Sequence, residues 1–415
     1  MNRTSKKFSL DSINFKYHVE INKHTFCSAP WFQIRNENLG EYRVCCDIDH
    51  TKTQFAGSTN MRWPDHDPED WFNSDYVRYL RKHLTQGNQL PECHECWRKE
   101  AAGENSVRQA LNDTMTNNRG HDLDNSWLAV YLKDKQDYDS HHLLSADVKI
   151  SNFCNFSCAM CNPADSSQVY SAWKRDDQHT FIVKQIHKDP TLLDRVKTAF
   201  MDRNNHALLR KILDQGVKHI KLLGGEPLLD EQTLQILECQ SADLKSRTNL
   251  FFVTNGSVDL IGIVDRLAHY RSVRFGVSLE GVGPVQEWIR RGSDWQQIEK
   301  NLSRARRSNI GVSIHHTRQA LTAWHLPDLL EWSRDIDIEV FYTMLYEPKF
   351  LALPVIPKPL LDKVKTRCQN DQPSRHVLGL VHSDESLLAD LKEWVKWYDP
   401  GETWRRVFTE WNDYI

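Results

Sequence analysis

The chain has 415 residues, of which 40% are hydrophobic and 26% charged, and a formal net charge of -3. That length permits a large core and more than one domain, the composition excludes a disordered chain, and the slight acidic balance disfavours long nucleic acid as a partner. No apolar run approaches the roughly 18 residues of a membrane span and the start, MNRTSKKFSL, lacks a secretory core, so a cytoplasmic chain is expected, in which the ten cysteines serve metal or redox chemistry rather than disulfides.

In chain order, residues 20–125 form a first segment with its own texture. Strands are expected around FCSAPWFQI and YRVCC, and a helix around WFNSDYVRYLRKHL, whose apolar residues recur at helical spacing. The polar stretch NDTMTNNRGHDLDN is expected to link this segment to the next. Residues 140–350 alternate short apolar runs with helical stretches. Strands are expected at ADVKIS, VKHIKLL, NLFFVT, SVRFGVSL, NIGVSIHH and IEVFYTML. Six strand-helix units imply an α/β fold with parallel strands, because parallel strands need crossovers and helices usually supply them. Several of these strands run into polar or glycine clusters, GGEP, TNGS, SLEG and HHTR, so the chemistry gathers at the carboxyl ends of the sheet. Residues 351–415 turn helical again, with SLLADLKEWVKWYDP and ETWRRVFTEWNDYI placing aromatics at helical spacing, read as a packed helical cap.

Two groups of cysteines stand out. SNFCNFSCAMCNP sets Cys154, Cys158 and Cys161 in a C-x3-C-x2-C array just after the first strand of the middle segment. Thiolates suit iron-sulfur clusters or zinc, and four complete either site; three leave one corner open, unless Cys239 or Cys368 closes an ordinary structural site. Upstream, Cys27, Cys45, Cys93 and Cys96 form a complete set ending in C-x2-C, which suits zinc or a cluster. Cys46 competes with Cys45; neighbouring strand residues point to opposite faces, and the spacing selects Cys45.

The three-cysteine loop, GGEP after the second strand and SLEG after the fourth together resemble the radical S-adenosylmethionine superfamily. That resemblance implies a partial (β/α)6 TIM-type barrel over residues 140–350, whose Cys154, Cys158 and Cys161 hold a 4Fe-4S cluster with S-adenosylmethionine at the fourth iron. It places Gly224 and Gly225 where backbone approaches the methionine moiety, with Glu226 as acceptor for its ammonium and Pro227 stiffening the turn. Ser278 and Arg290, preferred over Arg291, match the partners of the methionine carboxylate. Asn255 and Glu280 match ribose contacts, with a plain Asn-Gly turn as the alternative for Asn255. Met160 stands where many members carry an aromatic residue against the adenine, and its polarizable thioether can cover a π face. Cys27, Cys45, Cys93 and Cys96 resemble a Twitch/SPASM-like module binding an auxiliary 4Fe-4S cluster, placed here ahead of the barrel as a small α+β iron-sulfur module over residues 20–125.

The activity implied is reductive cleavage of S-adenosylmethionine to a 5'-deoxyadenosyl radical, which abstracts hydrogen from a small-molecule or peptide substrate. A flavodoxin- or ferredoxin-type donor would supply the electron, and no membrane partner is expected. Alternatives are a nucleotide-modifying enzyme of the same superfamily and a non-catalytic iron-sulfur redox or sensing protein. His315, His316, Thr317, Arg318 and Tyr346 are the candidates to line the substrate pocket, and alternation lets at most one of the two histidines face the interior.

Overall fold

The structure is a computed structural model; it describes residue 22 and residues 24–101, 103–116, 143–201 and 205–415. The start MNRTSKKFSL and residues 117–125 of the expected linker lie outside the described residues. The chain forms two compact units, residues 1–148 with 208–219, and residues 149–207 with 220–415.

In the first unit, strand β1 (Gln33–Asn36) lies between β2 (Tyr42–Arg43), antiparallel to it, and β3 (Ser145–Lys149), parallel to it with Gln33 opposite Ser145. FCSAPWFQI therefore begins not as a strand but as one helical turn, Ala29–Phe32, because Pro30 suits the first turn of a helix and lacks the N–H a strand needs. YRVCC keeps its ladder only through Arg43. The expected WFNSDYVRYLRKHL helix is two, Pro68–Phe72 and Asp75–Thr85, separated where Ser74 caps the second by accepting from the Val77 N–H. Residues 112–116, expected in the linker, instead finish the helix Val107–Thr116.

The second unit carries a sheet in the order β10-β9-β7-β6-β5. These are β5 (His219–Leu223), β6 (Asn249–Thr254), β7 (Ser272–Ser278), β9 (Gly311–Arg318) and β10 (Val340–Met344). The pairs β6/β7, β7/β9 and β9/β10 are parallel. Helices Leu260–Arg266, Trp295–Arg307 and Leu326–Asp335 make the crossovers. Phe252, Phe275, Val277 and Ile314 are fully buried on one face. Among the described residues the sheet does not close into a barrel. A two-stranded ribbon, β4 (Ser157–Cys158) against β8 (Arg290–Arg291), went unforeseen because two residues carry no periodicity.

After β10, helices including Lys358–Arg367, Gln372–Leu380 and Leu388–Tyr398 bury Val364, Leu391, Trp394 and Tyr398 in one apolar cluster with Trp288 and Ile289. ETWRRVFTEWNDYI is less helical than its spacing suggests: it has one turn, Trp404–Val407, then a 3-10 turn, Thr409–Trp411, with Trp404, Phe408 and Trp411 buried.

Candidate functional site

The C-x3-C-x2-C loop is pinned by backbone. Ile150 N–H donates to the Leu223 carbonyl at the end of β5 (3.1 Å), Gly225 N–H to Ser151 (2.7 Å) and Glu226 N–H to Phe153 (2.7 Å). A Cβ on Gly225 would stand 2.2 Å from the Phe153 carbonyl oxygen, and one on Gly224, at φ +141°, 2.5 Å from that of Ser151. The glycines thus let the strand end lie against the cysteine loop, a use different from opening room for a ligand. Within the loop, Ser167 Oγ accepts from the Cys154 N–H (3.1 Å) and Cys161 N–H donates to the Cys158 carbonyl (3.1 Å). Asn255 Nδ2 and Asn155 Oδ1 are 2.8 Å apart, so the β6 turn holds the same loop.

Glu226 is buried and spends its carboxylate inside the protein. It accepts from Leu228 N–H (3.1 Å), Thr254 Oγ1–H (2.8 Å) and Asn255 N–H (2.6 Å), tying the ends of β5 and β6 together. Burial pushes its pKa up from 4.5 to about 7 against these donors. Asn255 sits in the turn its Asn-Gly pair suggests, its Oδ1 accepting from Ser257 N–H (3.0 Å) and Gly256 at φ +79°. Pro227 opens the one-turn 3-10 helix Pro227–Leu229, and Ser278 ends β7. Glu280 is wholly buried, with Arg290 Nη2 at 2.7 Å and the Thr317 N–H at 3.0 Å. Arg290 lies opposite Cys158 in the β4/β8 ribbon, and its Nη1 is 3.7 Å from the Cys158 sulfur. Arg291 turns the other way, onto the Tyr398 ring at 3.8 Å, so the choice of Arg290 falls on the side chain that faces the cysteines.

A cavity of about 190 Å³ opens beside this loop, lined by Cys158, Met160 and Cys161. Trp173, Trp394 and Trp397 contribute to its apolar wall, and Glu347 also lines it. Tyr398 Oη donates to the Ser157 carbonyl (2.9 Å) and so fastens the helix Leu388–Tyr398 to the loop. The WVKWY spacing marked those aromatics as packing, and part of their surface in fact walls a cavity; only the fold brings them beside Met160. Cys239 is exposed and Cys368 buried, and neither lines this cavity.

In the first unit Cys27, Cys45, Cys93 and Cys96 line a single small cavity of about 20 Å³ with Arg108. Cys46 is exposed and donates to Asp47 Oδ1 at 3.5 Å. Burial pushes Cys27 up to about 12 and raises Cys45, Cys93 and Cys96 as well. Cys154 is pushed up to about 11 by burial, while Cys158 is held below the ordinary thiol value by a hydrogen bond from Cys161 and by Arg290. A thiol whose pKa burial raises gives up its proton chiefly when a bound cation stabilises the thiolate, the behaviour expected of soft-metal ligands. Among the described residues, no three His, Cys, Asp or Glu are gathered as ligands of a metal ion. The three thiols share one loop and the four share one cavity wall, a donor set that fits iron-sulfur clusters in chemistry.

The two histidines divide as alternation requires. His316 is fully buried, its Nδ1 3.1 Å from the Leu279 carbonyl and 3.6 Å from Glu280. His315 lies on the other face between Phe251 and Phe341. Arg318 stacks on Tyr342 at 4.1 Å, on the buried side, whereas Tyr346 is 49% exposed.

Residues 148–332 match the model of the Radical SAM superfamily. Among curated proteins it resembles the GTP 3',8-cyclases of Brucella ovis, 25% identical over 203 residues, 48% of this chain and 52% of that protein. The enzyme of the same name from Nitrobacter winogradskyi is 26% identical over 203 residues with the same coverage. The chain spans about half the length of the curated relatives it matches. Among solved structures it resembles native anSMEcpe with bound AdoMet, at 17% identity and TM-score 0.39 over 58% of this chain and 63% of that one. It also resembles Streptococcus suis SuiB, at 15% identity and TM-score 0.39 over 82% and 68%. The described helices include none long and apolar enough to cross a membrane.

Proposed function

We propose that this protein is a radical S-adenosylmethionine enzyme. Cys154, Cys158 and Cys161 would hold a 4Fe-4S cluster, and Met160 with the aromatic cavity beside it would seat the adenine. The observation that carries the reading is the three-cysteine loop held against the GGEP strand end, with the Arg290 guanidinium on the Cys158 sulfur. When bound, the cluster and S-adenosylmethionine supply a 5'-deoxyadenosyl radical that abstracts hydrogen from a substrate. The protein's own residues supply placement: Glu226 clips the ends of β5 and β6 together, Asn255 steadies the loop, and Glu280 fixes Arg290. The Arg290 Nε is buried without an acceptor, which suits it to receive the methionine carboxylate.

The domain reading is residues 20–125 as a Twitch/SPASM-like module, 140–350 as the catalytic partial barrel and 351–415 as a helical cap. Cys27, Cys45, Cys93 and Cys96 would bind an auxiliary 4Fe-4S cluster, supported by their shared cavity. A flavodoxin- or ferredoxin-type protein would deliver the electron. The substrate is a small molecule or a peptide; a nucleotide is the second reading, favoured by the match of 48% of this chain to GTP 3',8-cyclases. The test is anaerobic reconstitution with iron and sulfide, reduction in the presence of S-adenosylmethionine and assay for 5'-deoxyadenosine. Release of 5'-deoxyadenosine is expected; zinc in place of iron, or a loaded cluster with no cleavage, would overturn the reading.

A further inference from the structure

Parallel sheets are usually covered on both faces. In the second unit one face of β5-β6-β7-β9-β10 is packed with Phe252, Phe275, Val277 and Ile314, and the opposite face is partly bare. Phe341 there is 48% exposed and Arg274 is exposed. An aromatic row crosses this bare face: Phe251 on β6, His315 on β9 and Phe341 on β10, with ring centroids 5.7 and 5.8 Å apart. The row passes over β7 because position 276 is glycine. A Cβ there would stand 2.7 Å from His315 Nε2 and 2.8 Å from Phe251 Cζ. Gly311 does the same for a cation, since a Cβ at that position would stand 2.8 Å from Arg274 Cγ. Two missing side chains thus let a row of rings and an arginine stem lie close to the sheet.

The charged residues within these five strands are of one sign. Arg274 lies directly opposite Phe251 in the β6/β7 register, about 5 Å away at ordinary strand spacing. Lys221 stands on β5, the neighbouring strand on the other side of β6, and is close enough to His315 to disfavour its protonation. Burial and that lysine hold His315 down at about 4, so it presents a neutral ring at neutral pH. None of the five strands contains an aspartate or glutamate. Arg274 makes no ion pair among the described residues. A cationic ligand would find no counter-charge from these strands, whereas an anion would find one within a strand spacing of a π surface.

We propose that this face receives the substrate, and that the substrate is a small anion carrying a planar ring, with the ring on the Phe251–His315–Phe341 row and the charge answered by Arg274. The proposal rests on the radical-enzyme reading above and narrows its substrate class. A peptide would qualify only through an acidic group next to an aromatic one.

The test uses full-length reconstituted protein and three probes in equilibrium binding: uridine 5'-monophosphate for ring and anion, uridine for the ring, and inorganic phosphate for the anion. The monophosphate is expected to bind at least about tenfold tighter than either of the others. R274Q should lose about tenfold for the monophosphate and leave uridine unchanged; F251L should weaken both ring-bearing probes and leave phosphate unchanged. Because Arg274 is exposed, R274Q remains informative even where F251L fails to fold. Equal binding of all three probes, or a monophosphate affinity untouched by R274Q, would overturn the assignment. Protein that cleaves S-adenosylmethionine but shows no preference for the monophosphate loses this inference and keeps the radical reading. Protein that binds the monophosphate as expected but never cleaves the cofactor loses the radical reading and keeps the site.

Discussion

Glu226 shows how a single side chain acquires a role that its motif does not describe. A buried carboxylate with three donors is a clip, and removing it strands Leu228 N–H, Thr254 Oγ1 and Asn255 N–H in the interior. E226A is therefore expected to cost about 3 kcal/mol in denaturant unfolding of the cofactor-free protein. The clip also carries a pH signature. Its folded pKa of about 7 exceeds the ordinary 4.5, so the folded state holds the proton more tightly. Its contribution is fully present below pH 4.5 and is lost as pH rises through about 7; E226Q should flatten that part of the stability profile. Cys45 and Cys46 also differ at this scale. Cys45 is buried in the cavity wall and Cys46 faces solvent beside Asp47, so C45S is expected to lower the iron content of the reconstituted protein while C46S leaves it unchanged.

Strand ends and loops explain why GGEP has its particular composition. The second strand must lie against the cysteine loop at hydrogen-bond distance, and only glycine permits that at 224 and 225. G225A forces a methyl to within 2.2 Å of the Phe153 oxygen, so the loop must shift. The expected result is loss of the iron held by Cys154, Cys158 and Cys161 with the other iron retained, measured by iron counts and by electron paramagnetic resonance. Element by element, periodicity located NLFFVT at both ends, Asn249–Thr254, because a strand packed on one face alternates strictly. It failed at FCSAPWFQI, where Pro30 starts a helical turn, and at the C-terminal aromatics, where buried Trp404, Phe408 and Trp411 sit on turns rather than a continuous helix. Helical spacing reports which residues are buried more dependably than how far hydrogen bonding continues.

Over the whole molecule, two units each bring together their own cysteine set, three on a loop in one and four around a cavity in the other. If the sets act independently, replacing Cys27, Cys93 and Cys96 by alanine should remove one cluster's worth of iron and leave the other, with cleavage of S-adenosylmethionine as the separate readout. Loss of both clusters would mean that the first unit's metal supports the fold of the second.

The spacing of Cys154, Cys158 and Cys161, the glycines of GGEP and the strand-helix rhythm were legible along the chain, because a loop's ligands and a strand's alternation are local properties. Other distinctions appear only in three-dimensional packing. Cys45 was separated from Cys46 by burial, Arg290 from Arg291 by the β4/β8 register, and His315 from His316 by the face each occupies. The aromatic row over Gly276 and the arginine opposite Phe251 join residues on strands far apart in the chain, and no short-range pattern can report contacts made by folding.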